Sequence, residues 1–277
     1  MFLKLQFVKK KFFLKDSFRI SRENKKILNL IIIKLTENDK CGFAECVPYK
    51  RYGESQKKIF SYLTNNQSKI LKLIRHNKLE KIKYLKVNKK NILKTIKFIN
   101  KNCPKSKIII DANEGLNFNL LKKIIKNLER LNVIIIEQPF KYGLDYKLKY
   151  IKTKILFCAD ESFHLNNKNK VLKYYQLINI KLDKFGGLNK SLNIIKFLRK
   201  KNKKILLGCM VSSSLSIVPA LTIAKYCTFL DLDGPYFLKN DFINGVSYKN
   251  GNLILNKNFI WLNKKGPEES LQGLFKN

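Results

Sequence analysis

Two hydrophobic rhythms divide the chain. Over the first fifty residues, apolar positions come in strand-length runs, 2–8, 27–35 and 42–46. Polar turns such as Glu37-Asn38-Asp39-Lys40 separate them, and the pattern predicts β-structure. Residues 56–80 carry a weak helical period. From Tyr84 onward the pattern becomes a strict alternation. Seven β-branched or apolar runs, 84–87, 108–111, 133–137, 155–160, 178–182, 205–210 and 229–233, are separated by amphipathic stretches such as 120–131 and 191–201. Alternating strand and helix predicts a parallel sheet and the α/β class. The unit recurs so often that a TIM-like (β/α) barrel is expected rather than an open sheet. After Asp233 the chain returns to β and loop character, with a Lys249-Asn250-Gly251-Asn252 turn.

Composition changes this picture little, and charge changes it less than its size suggests. Hydrophobic residues make up 45% of the 277, enough for a real core. Lysine and arginine number 57 against 20 acidic residues, a net charge of 57 − 20 = +37. Such a balance normally points to polyanions. Only six of the bases are arginine, however, and the lysines are scattered through every segment. Bidentate readers of nucleic acid lean on arginine, so the charge is expected to coat solvated faces, and no nucleic-acid partner is expected. A degenerate, non-catalytic polyanion-binding protein remains the alternative from another class. No run approaches the ~20 apolar residues of a membrane span. Lys4 and Lys9 to Lys11 interrupt the start of the chain, so no signal peptide is expected. None of the six cysteines has C-x2-C spacing, and reduced thiols in a cytoplasm are the expectation.

The chemistry lies where the strands end. Three successive predicted strands finish in Asp111, Glu137 and Asp160, 26 and 23 residues apart, one β/α unit each. Carboxylates that terminate barrel strands face the C-terminal mouth, where active sites of this fold lie. Three converging there repel one another unless a cation intervenes, and all-oxygen ligation favours Mg2+ or Mn2+. Lys86 ends the first run of the series, and Lys181 interrupts the apolar run one unit after Asp160. In a closed barrel these two lysines face each other across the mouth. That is an arrangement for removing a proton on one face of a carbon acid and returning it on the other. Burial and a nearby cation are expected to lower their pKa values.

These words, in order, resemble the enolase superfamily, in its muconate lactonizing enzyme subgroup, and within it the L-Ala-D/L-Glu (dipeptide) epimerases. The matching stretches are Asp111-Ala112-Asn113-Glu114, Glu137-Gln138-Pro139, Ala159-Asp160-Glu161-Ser162, Asn179-Ile180-Lys181-Leu182-Asp183-Lys184-Phe185-Gly186-Gly187, Gly208-Cys209-Met210 and Asp231-Leu232-Asp233-Gly234-Pro235. Phe18-Arg19-Ile20-Ser21-Arg22 and the run from Glu45 to Ser55 also fit. The resemblance implies an N-terminal α+β capping domain over 1–80, a catalytic barrel over 81–235, and a segment over 236–277 that returns to the cap. It implies Mg2+ held by Asp111, Glu137 and Asp160, with Lys86 and Lys181 as the acid/base pair. It implies Asp231 and Asp233 on the free amino group of a small dipeptide, and Arg22 on a substrate carboxylate, with Arg51 and Tyr84 nearby. The implied activity is 1,1-proton transfer at the α-carbon of the C-terminal residue, serving murein peptide recycling. A cycloisomerase or an o-succinylbenzoate synthase of the same subgroup is the alternative.

Two departures stand out. The family's Lys-x-Lys is here Tyr84-Leu85-Lys86, which retains the second lysine and loses the first. Between Ser55 and Tyr84 there are only 28 residues, where the family has more capping helices and another strand. The barrel is therefore expected to be incomplete under a shortened cap. Its seam would be covered by a helix or completed by a partner copy in a homo-oligomer.

Overall fold

The structure is a computed structural model that describes residues 3–20, 23–38, 40–48, 53–68, 70–71, 96–97, 100–165, 168–249, 252–256 and 262–263. β1 (Leu3–Ile20), β2 (Glu23–Glu37) and β3 (Lys40–Cys46) form an antiparallel sheet, and the short strand Leu262–Asn263 pairs with the far edge of β3. The first hairpin is longer than the apolar pattern predicts. β1 passes straight through Lys9 to Lys11, in unbroken register from Leu3 opposite Glu37 to Phe13 opposite Ile27. The reason is a change of buried face. Leu3 and Leu5 are buried near one end, and Phe12 and Leu14 near the other. Leu5 and Phe12 are seven residues apart, an odd number, so in a period-two strand they point to opposite sides. The lysines occupy the crossover between the two buried faces. The helix Gln56–Asn65 follows. Ser55 caps it by accepting from the Lys58 N–H, and Gln56 ties it back to the sheet by donating to the Leu30 carbonyl at 2.8 Å.

The second layer is parallel throughout. β4 (Ile108–Asp111), β5 (Val133–Glu137), β6 (Leu156–Ala159), β7 (Leu177–Lys181), β8 (Lys204–Gly208) and β9 (Phe229–Asp231) pair in chain order. Six of the seven predicted strands are thus present as half of a TIM-like barrel; the run 84–87 lies outside the described residues. The helix Phe118–Arg130 shows why the covering layer forms. Leu121, Ile124, Ile125 and Leu128 recur at helical spacing and are buried, and Asn117 caps the helix by accepting from the Leu120 N–H. All six cysteines are free thiols. No helix among the described residues is long and apolar enough to cross a membrane.

Polar contacts join the two sheets at the helix Ser214–Leu221, whose N-terminal N–H groups need partners. Glu45 of β3 accepts from the Ser213 N–H at 2.9 Å, from the Ser213 hydroxyl, and from the Ser216 hydroxyl at 3.0 Å. Asp241 accepts from the Ser214 N–H at 3.0 Å and from its hydroxyl. Beside these, Phe12 packs edge-on against Phe242 at 5.3 Å, and the Lys239 N–H donates to the Phe13 carbonyl at 2.7 Å.

Burial pushes the Glu45 carboxyl up from 4.5 to about 7, against the pull of its Ser213 and Ser216 hydrogen bonds. A carboxyl whose folded pKa is raised contributes stability that is complete below its unfolded pKa and is lost as pH rises through its folded pKa. Wild-type unfolding free energy should therefore fall between pH 4.5 and pH 7. Glu45→Gln, which cannot ionise, should show a visibly shallower fall. Urea denaturation of both proteins at pH 5 and pH 8 reads this directly, and equal slopes would remove Glu45 from the account.

Candidate active site

The site grows out of strand periodicity. Ile135, Cys158, Leu177 and Leu206, one from each of β5 to β8, form a small buried apolar cluster on one face of the parallel sheet. Two residues further along each strand the same face carries Glu137, Asp160, Asn179 and Gly208. An apolar floor thus gives way, within one period of the strands, to a polar layer at their C-terminal ends. Pairing extends the layer sideways. Asp111 lies opposite Glu137, Lys181 opposite Gly208, and Gly208 opposite Asp231.

Within this layer, Glu137 is 2% exposed and Asp160 is 0% exposed, so their charges need partners inside the protein. Lys181 supplies one. Its Nζ is 3.0 Å from Asp160 Oδ2 and 3.5 Å from Glu137 Oε1. Lys184, one turn further along, places its Nζ 2.6 Å from both oxygens of Asp160. Asn179 donates to Glu137 Oε1 at 2.7 Å. Its own Oδ1 has no hydrogen-bond partner among the described residues. Gly208 makes room for all of this. A Cβ there would stand 2.5 Å from Asn179 Oδ1 and 3.0 Å from the Lys181 stem.

The electrostatics follow from the geometry. Burial pushes the Glu137 carboxyl up to about 7, with Asp111 and Asp160 adding to it and Lys181 opposing. Lys181 is balanced between burial and three carboxylates. Burial does pull its pKa down, but Asp160, Glu137 and Asp111 together hold it well above the ordinary lysine value. Lys184 goes the other way, because burial lowers it more than Asp160 raises it. At the rim, partial enclosure raises both Asp231 and Asp233, and Asp233 reaches about 6 with Asp231 beside it.

Asp111, Glu137, Asp160, Lys181, Asp231 and Asp233 therefore lie along one end of one sheet. Lys86, Tyr84, Arg22 and Arg51 lie outside the described residues. Asp111 is exposed, and its carboxylate is turned to Asn113, accepting from the Asn113 N–H at 2.9 Å and from its side-chain amide. Among the described residues no three carboxylate, thiol or imidazole groups close on a point as metal ligands. Lys181 carries positive charge between Glu137 and Asp160, and Lys184 carries it between Asp160 and Glu161, 3.7 Å from Glu161 Oε1. Sequence reasoning assigned no role to Lys184, Asn179 or Gly208. For Lys184 the available signal was its spacing of three from Lys181.

A family model described as Enolase C-terminal domain-like matches residues 72–258. The chain belongs to that family. Among curated members it is similar to an N-acetyl-D-glutamate racemase from Pseudoalteromonas sp., 39% identical over 159 residues, 57% of this chain and 50% of that protein. It is also similar to the L-Ala-D/L-Glu epimerase of Escherichia coli, 36% identical over 153 residues, 55% and 48% of the two chains. The chain thus spans about half the length of the curated relatives it matches. Among solved structures it resembles an enolase family member from Agrobacterium tumefaciens with homology to dipeptide epimerases, described with bound sodium and L-Ala-L-Glu. The TM-score is 0.79 at 26% identity, over 91% of this chain and 97% of that one. A substrate-liganded L-Ala-D/L-Glu epimerase from Bacillus subtilis shares the fold, with a TM-score of 0.78 at 19% identity. In the fold of this enolase-like family the mouth of the sheet is where chemistry takes place.

Gly208→Ala tests the packing of this layer without reference to any activity. The added methyl forces Asn179 and Lys181 aside, and overpacking of this kind costs about 1–3 kcal/mol. A urea midpoint unchanged from wild type would mean that the layer has slack the geometry does not suggest.

Proposed function

We propose that the chain is a Mg2+-dependent dipeptide epimerase. It would move a proton from one face to the other of the α-carbon in the C-terminal residue of L-Ala-D/L-Glu or a similar dipeptide. The carrying observation is the Lys181 ammonium, buried at a strand end between Glu137 and Asp160. A lysine at that strand end stands where a substrate entering the mouth of the sheet would meet it. The relatives named as epimerases and racemases support the reaction class.

The donor set fits a hard divalent cation. Asp111, Glu137 and Asp160 offer only oxygens, from three adjacent strands, and the crowding that lifts the Glu137 carboxyl is the kind a cation relieves. Lys181 and Lys184 stand in for that charge in this structure. Two solved dipeptide epimerases of the same fold, from Methylococcus capsulatus and Enterococcus faecalis, are described as complexes with Mg and a dipeptide. When bound, such a cation supplies a Lewis acid for the substrate carboxylate and makes the α-proton easier to remove. The three carboxylates would hold it.

The remaining steps belong to the side chains. Lys181 exchanges a proton at the α-carbon on one face, and Lys86 does so on the other. Asp231 and Asp233 accept the free ammonium of the dipeptide, a charge-assisted pairing that also fixes which end faces the lysines. Arg22, with Arg51 near it, meets the substrate side-chain carboxylate. Tyr84, in place of the family's lysine, donates a hydrogen bond where a cation would otherwise stand. The context we propose is cytoplasmic recycling of cell-wall peptides.

A second reading comes from the racemase at 39% identity, whose named substrate has an acylated nitrogen and no ammonium. Asp231 and Asp233 favour the dipeptide, since its ammonium gives two rim carboxylates a charged partner, whereas an N-acetylated nitrogen offers them a single neutral N–H.

Proton NMR in D2O separates the readings. L-Ala-L-Glu should lose its glutamyl α-proton signal with Mg2+ and keep it with EDTA, and N-acetyl-L-glutamate should remain unchanged. The reverse preference would establish the acylamino-acid reading, and no exchange of either would remove both. Lys181→Ala should lower two-way epimerisation by about 10²-fold or more, the usual contribution of a positioned acid/base.

A further inference from the structure

A directed hydrogen-bond chain runs through the interior behind the acidic layer. Gln138, next to Glu137, is fully buried and sits at φ +37°, a backbone state that side chains rarely adopt. Its Oε1 accepts from the Asp160 N–H at 3.2 Å and the Ser162 N–H at 3.0 Å. Both partners can only donate, so the amide orientation is forced. The Nε2 then faces the other way, toward the Phe140 carbonyl at 2.9 Å, Ser162 Oγ at 2.8 Å and Tyr175 Oη at 3.3 Å. The two hydroxyls accept there, and each has a single hydrogen left to donate. Both point it at Asp145 Oδ1, at 2.6 Å each. The other oxygen of Asp145 accepts from the Gly143 N–H at 3.2 Å. The chain ends on the buried carboxylate of Asp145.

We infer that Asp145 is a positioning residue: through Ser162, Tyr175 and Gln138 it fixes the backbone that aims Asp160 and Glu137 into the mouth. Gln138 is covalently next to one of these carboxylates and hydrogen-bonded to the backbone of the other. A reversal of its amide would leave two buried N–H groups facing an NH2. The inference rests on the proposal that Asp160 and Glu137 help to hold the cation.

The test is metal affinity, read separately from turnover. The full chain is titrated with Mn2+ and followed by electron paramagnetic resonance, for wild type, Tyr175→Phe and Asp145→Asn. Circular dichroism confirms that each is folded. Tyr175→Phe removes one donor to Asp145 and one acceptor for Gln138 Nε2, and leaves the ring in place. Asp145→Asn sets an NH2 against either the Gly143 N–H or the two hydroxyls. Loss of such outer partners typically weakens metal binding by about 10- to 100-fold. The expected result is a Mn2+ dissociation constant raised at least about tenfold in both variants. In the D2O assay kcat should fall while KM for the dipeptide stays near wild type. A merely structural role would lower the thermal midpoint and leave the Mn2+ constant of the folded protein unchanged, and that result overturns the inference. If Asp145→Asn does not fold, Tyr175→Phe decides alone. If wild type binds no Mn2+, the cation reading itself fails and takes this inference with it. Normal Mn2+ binding by folded variants rejects the positioning role and leaves the epimerase proposal standing.

Discussion

Charge neutrality inside a dry parallel sheet is the constraint on which the rest of this molecule turns. Asp160 is wholly removed from solvent and Glu137 nearly so. An uncompensated carboxylate at such a depth costs several kcal/mol or else takes up a proton. The surroundings provide compensation in a set order. Lys181 and Lys184 come from the end of one strand and the first turn after it, so a single local conformation delivers two ammonium groups to one carboxylate. Asn179 supplies an N–H to Glu137 from the strand that carries Lys181. Gly208, on the next strand, contributes the absence of a side chain. Each of these residues lies on β7, β8 or the turn between, and the ladder between those strands holds five paired positions in unbroken register. The register of one strand pair thus decides whether the acidic layer is neutral.

The same economy operates at the rim. The Asp231-Leu232-Asp233 turn leads into Gly234, where a Cβ would meet the Met210 carbonyl at 2.6 Å and Ser212 Oγ at 2.9 Å. The loop that presents Asp233 is therefore pressed against the loop that leaves β8. Two residues past Ser212, Glu45 and Asp241 hold the start of the helix Ser214–Leu221. A chain of backbone contacts links the N-terminal sheet to the loop carrying the proposed ammonium-binding pair. In a molecule of net charge +37, these inward-facing acids are what give the interior its own electrostatic character. The scattered surface lysines do not take part in it.

Much of this was legible in the sequence, and the parts that were not have physical reasons. The β/α alternation is visible because the central parallel strands, β5 to β8, are buried on both faces and read as uninterrupted apolar runs. The carboxylates at 111, 137 and 160 stand out because they terminate such runs. Lys181 stands out because it interrupts one. Lys184 could not be recognised the same way, since it lies past the strand end in the short turn Leu182–Phe185 and resembles any other lysine in a lysine-rich chain. Asn179 and Gly208 are unremarkable by composition, and their roles exist only once β7 and β8 are paired. The length of β1 was hidden by its three lysines. Those lysines mark the point where the buried face changes and not the end of the strand. The rise in the Lys181 pKa was likewise out of reach, because its sign depends on how many carboxylates surround one ammonium.

Stability alone does not account for the polar layer. Buried ion clusters are often no more stable than well-packed hydrophobic side chains of the same volume. The chain has such side chains one period lower on the same face, at Ile135, Leu177 and Leu206. Carrying the apolar floor one step further would remove the need for two buried lysines, for an asparagine with an unpartnered oxygen, and for a glycine at a strand end. The layer also requires a glutamine in an unfavourable backbone state just behind it. Local costs on neighbouring strands and on the turns that follow them converge on one patch at the C-terminal end of the sheet. Costs that cluster at the mouth of a half-barrel, and are absent from the floor beneath it, are those of a site kept for its chemistry.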